Sequence, residues 1–87
     1  MIALSLKINN KSGLHARAAT LLVTTASKYQ AEIIVKRGER EANAKSILNI
    51  MSLGAMQNDN ITLKINGSDE QEAALALQKL FASNFGE

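Results

Sequence analysis

The segment IALSLKI, residues 2–8, puts Ile2, Leu4, Leu6 and Ile8 on one side of an extended chain and Ala3, Ser5 and Lys7 on the other. A period of two marks a strand with one face buried and the other in water. ITLKI, residues 61–65, repeats the pattern, with Ile61, Leu63 and Ile65 opposed to Thr62 and Lys64. Parallel strands buried on both faces read as continuous apolar runs. Clean alternation therefore predicts an antiparallel sheet with helices packed on one side only.

The segments between these strands read in turn. NNKSG is a loop. From Ala16 to about Lys28, the residues Ala16, Ala19, Leu22, Val23 and Ala26 recur at spacings of three and four, which predicts an amphipathic helix. AEIIVKR and REANA flank Gly38 and form a hairpin, the second strand resting on poorer strand formers. SILNIMSLG offers Ser46 as N-cap and Gly54 as a left-handed stop for a helix of about two turns. NGSDEQEAALALQKLFASNF begins with turn residues and continues as a helix. Asp69, Glu70 and Glu72 suit its N-terminal end, and Ala73, Leu77, Leu80 and Phe81 form its buried stripe. The order is β-α-β-β-α-β-α, an α+β fold, and no linker or repeat divides the 87 residues, so one domain over 1–87 is expected.

Composition excludes several classes of function. The chain has no cysteine and one histidine, so thiolate chemistry and paired-histidine metal sites are ruled out, and no cofactor is called for. Aromatic residues make up 3% and the net charge is +2, with Lys and Arg scattered among acids, which argues against nucleic-acid binding. No apolar run approaches a membrane span, and the opening residues alternate where a secretory segment would run apolar. A cytoplasmic protein without membrane insertion is expected.

The single histidine, His15, stands where NKSGL gives way to the first helix. A lone histidine is commonly structural or merely exposed, and a role as base to a nearby hydroxyl is compatible with the sequence. Its neighbours add a third possibility. Gly13 permits an unusual backbone conformation, and the first-turn amides of a helix form an anion site. Arg17, two residues on, has a guanidinium that matches phosphate oxygens. A neutral imidazole in that setting is suited to accept a phosphoryl group, since amides and Arg17 would stabilise the arriving charge.

NKSGLHARAATLL, AKSILNIMSLGA and the element order together resemble the histidine-containing phosphocarrier (HPr) family of the bacterial phosphoenolpyruvate-dependent sugar phosphotransferase system, over essentially the whole chain. The resemblance implies an open-faced β-sandwich with strand order 1-4-2-3 and three helices on one face. It implies that His15 takes a phosphoryl group on Nδ1 from phospho-enzyme I and passes it to a histidine of sugar-specific IIA domains, with Arg17 stabilising the phosphate. It makes Ser46 the candidate site of a regulatory serine kinase and phosphorylase. It also makes Ala16, Thr20, Ile47, Leu48 and Met51 the docking surface of a monomeric carrier that is not itself a free-standing enzyme. From the residues alone, Ser46 is an N-cap, and the apolar residues of its helix exceed what one face of a short helix buries.

One position departs from the family, whose usual HARPA is HARAA here, with Ala18 in the place of the proline. Pro in a first helical turn pre-sets φ, so Ala18 loosens that turn while remaining a good helix former. Two other readings stand beside it: an HPr-like regulator acting mainly by binding, against whose accessory branch His15 argues and against whose nitrogen-related branch KSILNIMSLG argues, and a small α/β binding module in which His15 is incidental.

Overall fold

A computed structural model describes residues 1–86. Its elements are β1 (Ile2–Lys7), α1 (Ala16–Ala26), β2 (Glu32–Arg37), β3 (Arg40–Asn43), α2 (Ile47–Ser52), β4 (Asn60–Asn66) and α3 (Glu70–Ala82), followed by a short 3-10 turn over Asn84–Gly86. The strands form one sheet in the order β1-β4-β2-β3, and every neighbouring pair is antiparallel. This is the expected open-faced arrangement.

Alternation sets which face is covered. Leu4 lies opposite Leu63, Leu63 opposite Val35, and Val35 opposite Ala42, so one inward row crosses all four strands. Ile2, Ile65 and Ile33 form the next row. Onto these rows the helices bring Ala18, Ala19, Leu22 and Ala26 from α1, Ile50 from α2, and Ala73, Ala74, Leu77 and Phe81 from α3. The intervening residues, among them Ser5, Lys36, Glu41 and Thr62, fall on the other face. There Lys64 pairs with Glu41 at 3.1 Å, a half-exposed ion pair of the kind that contributes little to stability.

Four boundaries or burial assignments differ from the sequence reading. Helix α1 ends at Ala26, and the amides of Lys28 and Tyr29 then bond to carbonyls three residues back, a tightened last turn rather than further α-helix. Ala16 is exposed, whereas Ala18 is fully buried, because the buried stripe centres on 18, 22 and 26 and leaves residue 16 about a third of a turn away. The third helix stops at Ala82. Asn84 and Phe85 take left-handed conformations (φ 54° and 55°), which swing Phe85 back to meet Phe81 edge to face at a centroid distance of 4.8 Å. Leu80 is only half-buried, and Ala74 occupies the core position instead.

Asp69 does something that its place before a helix does not suggest. Its side chain caps no amide of α3 but accepts the backbone N–H groups of Gln30 and Ala31, each at 2.8 Å. The turn that follows α1 is thereby latched to the turn that precedes α3, where Gly67 approaches so closely that a β-carbon would lie 2.6 Å from Ala31 Cα. The Gln30 amide, with help from Ala31 and Lys45, holds the Asp69 carboxyl below the usual carboxylate range. A depressed folded-state pKa contributes stability that is present above the unfolded value of about 3.9 and is lost as pH falls through the lower, folded one. The melting temperature of Asp69→Asn should therefore vary less than that of the parent between neutral pH and pH ~3, as followed by circular dichroism.

Candidate functional site

The segment before α1 is shaped by one close approach. Gly13 has φ +63°, and a β-carbon there would come within 2.5 Å of the Ala55 carbonyl oxygen and 2.7 Å of Met56 Cα. Only glycine fits both the left-handed backbone and that gap. Asn10 spans the turn by donating from Nδ2 to the Gly13 carbonyl at 2.7 Å, and the Leu14 amide donates to Ala55 O at 3.0 Å. Leu14 is buried, so the chain enters α1 anchored on both its backbone and its side chain.

His15 follows as the N-cap residue, extended (φ −77°, ψ −178°) and half-buried, and its carbonyl accepts the first intrahelical bond from the Ala19 amide at 2.8 Å. Its side chain makes no cap hydrogen bond to the helix, although a Ser, Thr, Asp or Asn at this position would stabilise the helix by typically ~1 kcal/mol over alanine. The first turn of α1 carries no acidic residue, in contrast to α3, which has Glu70 and Glu72 there. No acid of its own first turn therefore offsets the positive end of α1's dipole, which lies beside an imidazole. Arg17, two residues on, is exposed, and Thr20 is exposed with its hydroxyl donating to the Ala16 carbonyl at 2.8 Å. Such a helix start can receive an anion at the ring.

Ser46 caps α2 as expected: its Oγ accepts the Asn49 amide at 3.3 Å. Gly54, at φ +63°, follows the helix as its left-handed stop. Of the apolar residues of α2, Ile50 is buried, whereas Ile47, Leu48 and Met51 are 40%, 80% and 42% exposed. These three side chains, with Ala16 and Thr20, lie on two helices that pack against one another. All five predicted docking residues are therefore solvent-facing. Met56, also exposed, belongs to the loop against which Gly13 rests, and no feature of the sequence singled it out. A broad depression on the uncovered sheet face, lined by Lys7, Lys36, Lys64 and Thr62, includes none of His15, Arg17 or Ser46. Among the described residues no group of three or more His, Cys, Asp or Glu side chains could hold a metal ion, and no helix is long and apolar enough to cross a membrane.

A family model described as the PTS HPr component phosphorylation site matches residues 2–83. The chain belongs to the HPr family. It is similar to the phosphocarrier protein HPr of Xylella fastidiosa strain Temecula1, at 45% identity over 87 residues, which cover 100% of this chain and 98% of the relative. It is also 45% identical over 78 residues to the phosphocarrier protein HPr of Mycoplasma genitalium, covering 88% of this chain and 89% of that one. Among solved structures it resembles the crystal structure of HPr-C-His from Thermoanaerobacter tengcongensis, with a TM-score of 0.96, 48% identity, and coverage of 100% of this chain and 98% of that chain.

Ala18 is the position where this HPr-family chain departs from the usual HARPA. As the third residue of α1 its amide has no acceptor within the helix, and a helical φ near −63° suits a proline ring. Its complete burial adds a condition that the sequence did not reveal, because the ring's extra carbons must fit a closed core. Ala18→Pro should raise stability by about 0.4–1 kcal/mol in a urea melt, through restriction of the unfolded chain. A loss of about 1–3 kcal/mol would mean that the core has closed over the space the ring needs.

Proposed function

We propose that this chain is a cytoplasmic, single-domain phosphocarrier of the sugar phosphotransferase system that works as a monomer. His15 accepts a phosphoryl group from phospho-enzyme I and donates it to a histidine of sugar-specific IIA domains, and the chain is a carried intermediate rather than a free-standing enzyme. The observation that carries this reading is the sole imidazole standing at the N-cap of α1, uncapped by its own ring and with no acid in the first turn. A nitrogen lone pair of neutral His15 attacks phosphorus, the bond from phosphorus to the donor breaks, and its electron pair returns to the donor. The first-turn amides and the Arg17 guanidinium stabilise the charge that arrives. Family resemblance supports Nδ1 as the acceptor atom. Reversal of the same step toward a IIA histidine needs no further group.

Docking is assigned to the exposed faces of α1 and α2, with Ala16, Thr20, Ile47, Leu48 and Met51 in contact with the partner. Apolar side chains with a flexible Met suit a surface that meets several partners in turn. His15→Ala should keep the far-ultraviolet circular dichroism of the parent and lose all phosphoryl acceptance in a quench-flow assay with enzyme I and phosphoenolpyruvate. Removing one charge-stabilising group from a buried site costs about 100-fold or more, and for exposed Arg17 we expect Arg17→Ala to slow acceptance by about tenfold. Lys36→Ala, on the sheet, should leave the rate unchanged. Acceptance by His15→Ala at the parent rate, or equal effects of the two cation substitutions, would contradict these roles.

Ser46 is proposed as a regulatory phosphorylation site for a serine kinase and phosphorylase. A phosphate there would add about −1.5 to −2 charges next to the docking helix while still offering an acceptor to the Asn49 amide. Asp is as good an N-cap as Ser, so Ser46→Asp should stay folded. It should accept phosphate from enzyme I more slowly at low ionic strength, and the deficit should shrink as salt rises. A rate equal to that of the parent at low salt would return Ser46 to capping alone.

A further inference from the structure

Beyond the residues at α1 itself, the structure ties the His15 segment to a distant ion pair. Arg37, at the end of β2, donates from Nε to Asp59 Oδ2 at 3.0 Å and from Nη1 to the Leu53 carbonyl at 3.0 Å. The same Asp59 oxygen accepts the Met56 amide at 2.8 Å, while the Asp59 amide donates back to the Met56 carbonyl at 3.1 Å. The Asp59 carbonyl accepts the Ile8 amide at 2.9 Å, and the Asn58 amide donates to the Ile8 carbonyl at 2.7 Å. Both ends of the stretch 53–56 are thus clamped, one to Arg37 and one to Asp59. Between the clamps sits Ala55, whose carbonyl accepts the Leu14 amide and whose backbone, with that of Met56, forms the wall against Gly13.

We propose that Asp59, held by Arg37, is a positioning residue for His15: it fixes the wall on which Gly13 and Leu14 are built, and so sets where the imidazole is presented. The role rests on the phosphocarrier reading, since it matters only if the ring reacts. Neither side chain is among the predicted site or docking residues. The Met56 amide, then Arg37, keeps the Asp59 carboxyl below the usual carboxylate range, so the clamp is charged at neutral pH. The arrangement differs from an ordinary surface pair, such as Lys64 with Glu41, in that the carboxylate also receives a backbone amide. Loss of Asp59 would release the Met56 amide, leave Arg37 with the Leu53 carbonyl alone, and loosen Ala55.

The test combines nuclear magnetic resonance of the unphosphorylated chain with steady-state transfer from enzyme I, on Asp59→Ala, Asp59→Asn and a Glu41→Ala control. Asp59→Ala should shift the amide signals of Gly13 and Leu14 and the ring signals of His15. It should also lower kcat by about tenfold with little change in KM, since small misplacement of a reacting group is costly. Asp59→Asn keeps an oxygen that can accept the Met56 amide and should restore part of the lost rate, whereas Glu41→Ala should alter neither signals nor rate. Should Asp59→Ala fail to fold, Arg37→Ala, which leaves the Asp59 to Met56 bond in place, should show the same shifts and slowing to a smaller degree. Unmoved Gly13, Leu14 and His15 signals in the folded variant, a parent-like kcat, or a loss confined to KM would overturn the proposal. A parent chain that takes no phosphate would sink the phosphocarrier reading alone, and the signals of residues 13–15 would still decide whether Asp59 positions them.

Discussion

The contact of Gly13 with the backbone of Ala55 and Met56 is the constraint on which the rest of the site depends. It leaves no room for a β-carbon, requires φ +63°, and delivers the Leu14 amide to the Ala55 carbonyl. With that seam closed, Leu14 can enter the core and His15 must begin the helix. The seam also joins the two parts of the chain to which the proposed function assigns roles. Ala55 follows α2, so the helix with the exposed apolar residues and the imidazole are held through one piece of backbone rather than by two independent loops.

The N-terminal ends of the helices show how local stability and chemistry are divided. Helix α3 has acids in its first turn and Asp69 clamping a neighbouring turn, and α2 has the Ser46 cap. Helix α1 has neither device, and its N-cap is an imidazole that makes no cap bond. A helix of 11 residues is marginal by itself, so α1 depends on its packing, and the buried series Ala18, Ala19, Leu22 and Ala26 supplies it. Leaving the helix start without a side-chain cap is therefore tolerable only because the other face is so well covered. Full burial of Ala18 belongs to the same solution, since it presses onto the core the first turn that follows His15 and carries Arg17.

What was legible in the sequence was what local chemistry dictates. The period of two in residues 2–8 and 61–65 placed the inward rows of the sheet, and the Ser46 cap and Gly54 stop placed α2, because both signals need no distant partner. The order 1-4-2-3 came through resemblance, since alternation alone does not say which strand lies beside which. His15 was conspicuous as the only histidine at a helix start. The roles that local sequence does not show act across the fold. Asp69 looks like a helix-start acid until Gln30 and Ala31 are brought beside it, and Arg37 and Asp59 are 22 positions apart in the chain. The burial of Ala18 over Ala16, and the backward fold of Phe85, likewise follow from where α1 and α3 meet their neighbours. A spacing rule does not contain that information.

The central claim is that His15 carries a phosphoryl group, and the most direct measurement is the intact mass of the chain after incubation with phosphoenolpyruvate and a matched enzyme I. Alkaline conditions preserve a phosphoramidate, so the account predicts one added phosphate that acid removes and that maps to the peptide containing His15. A competent enzyme I that adds no phosphate, or a phosphate that survives acid and maps to another residue, would contradict it.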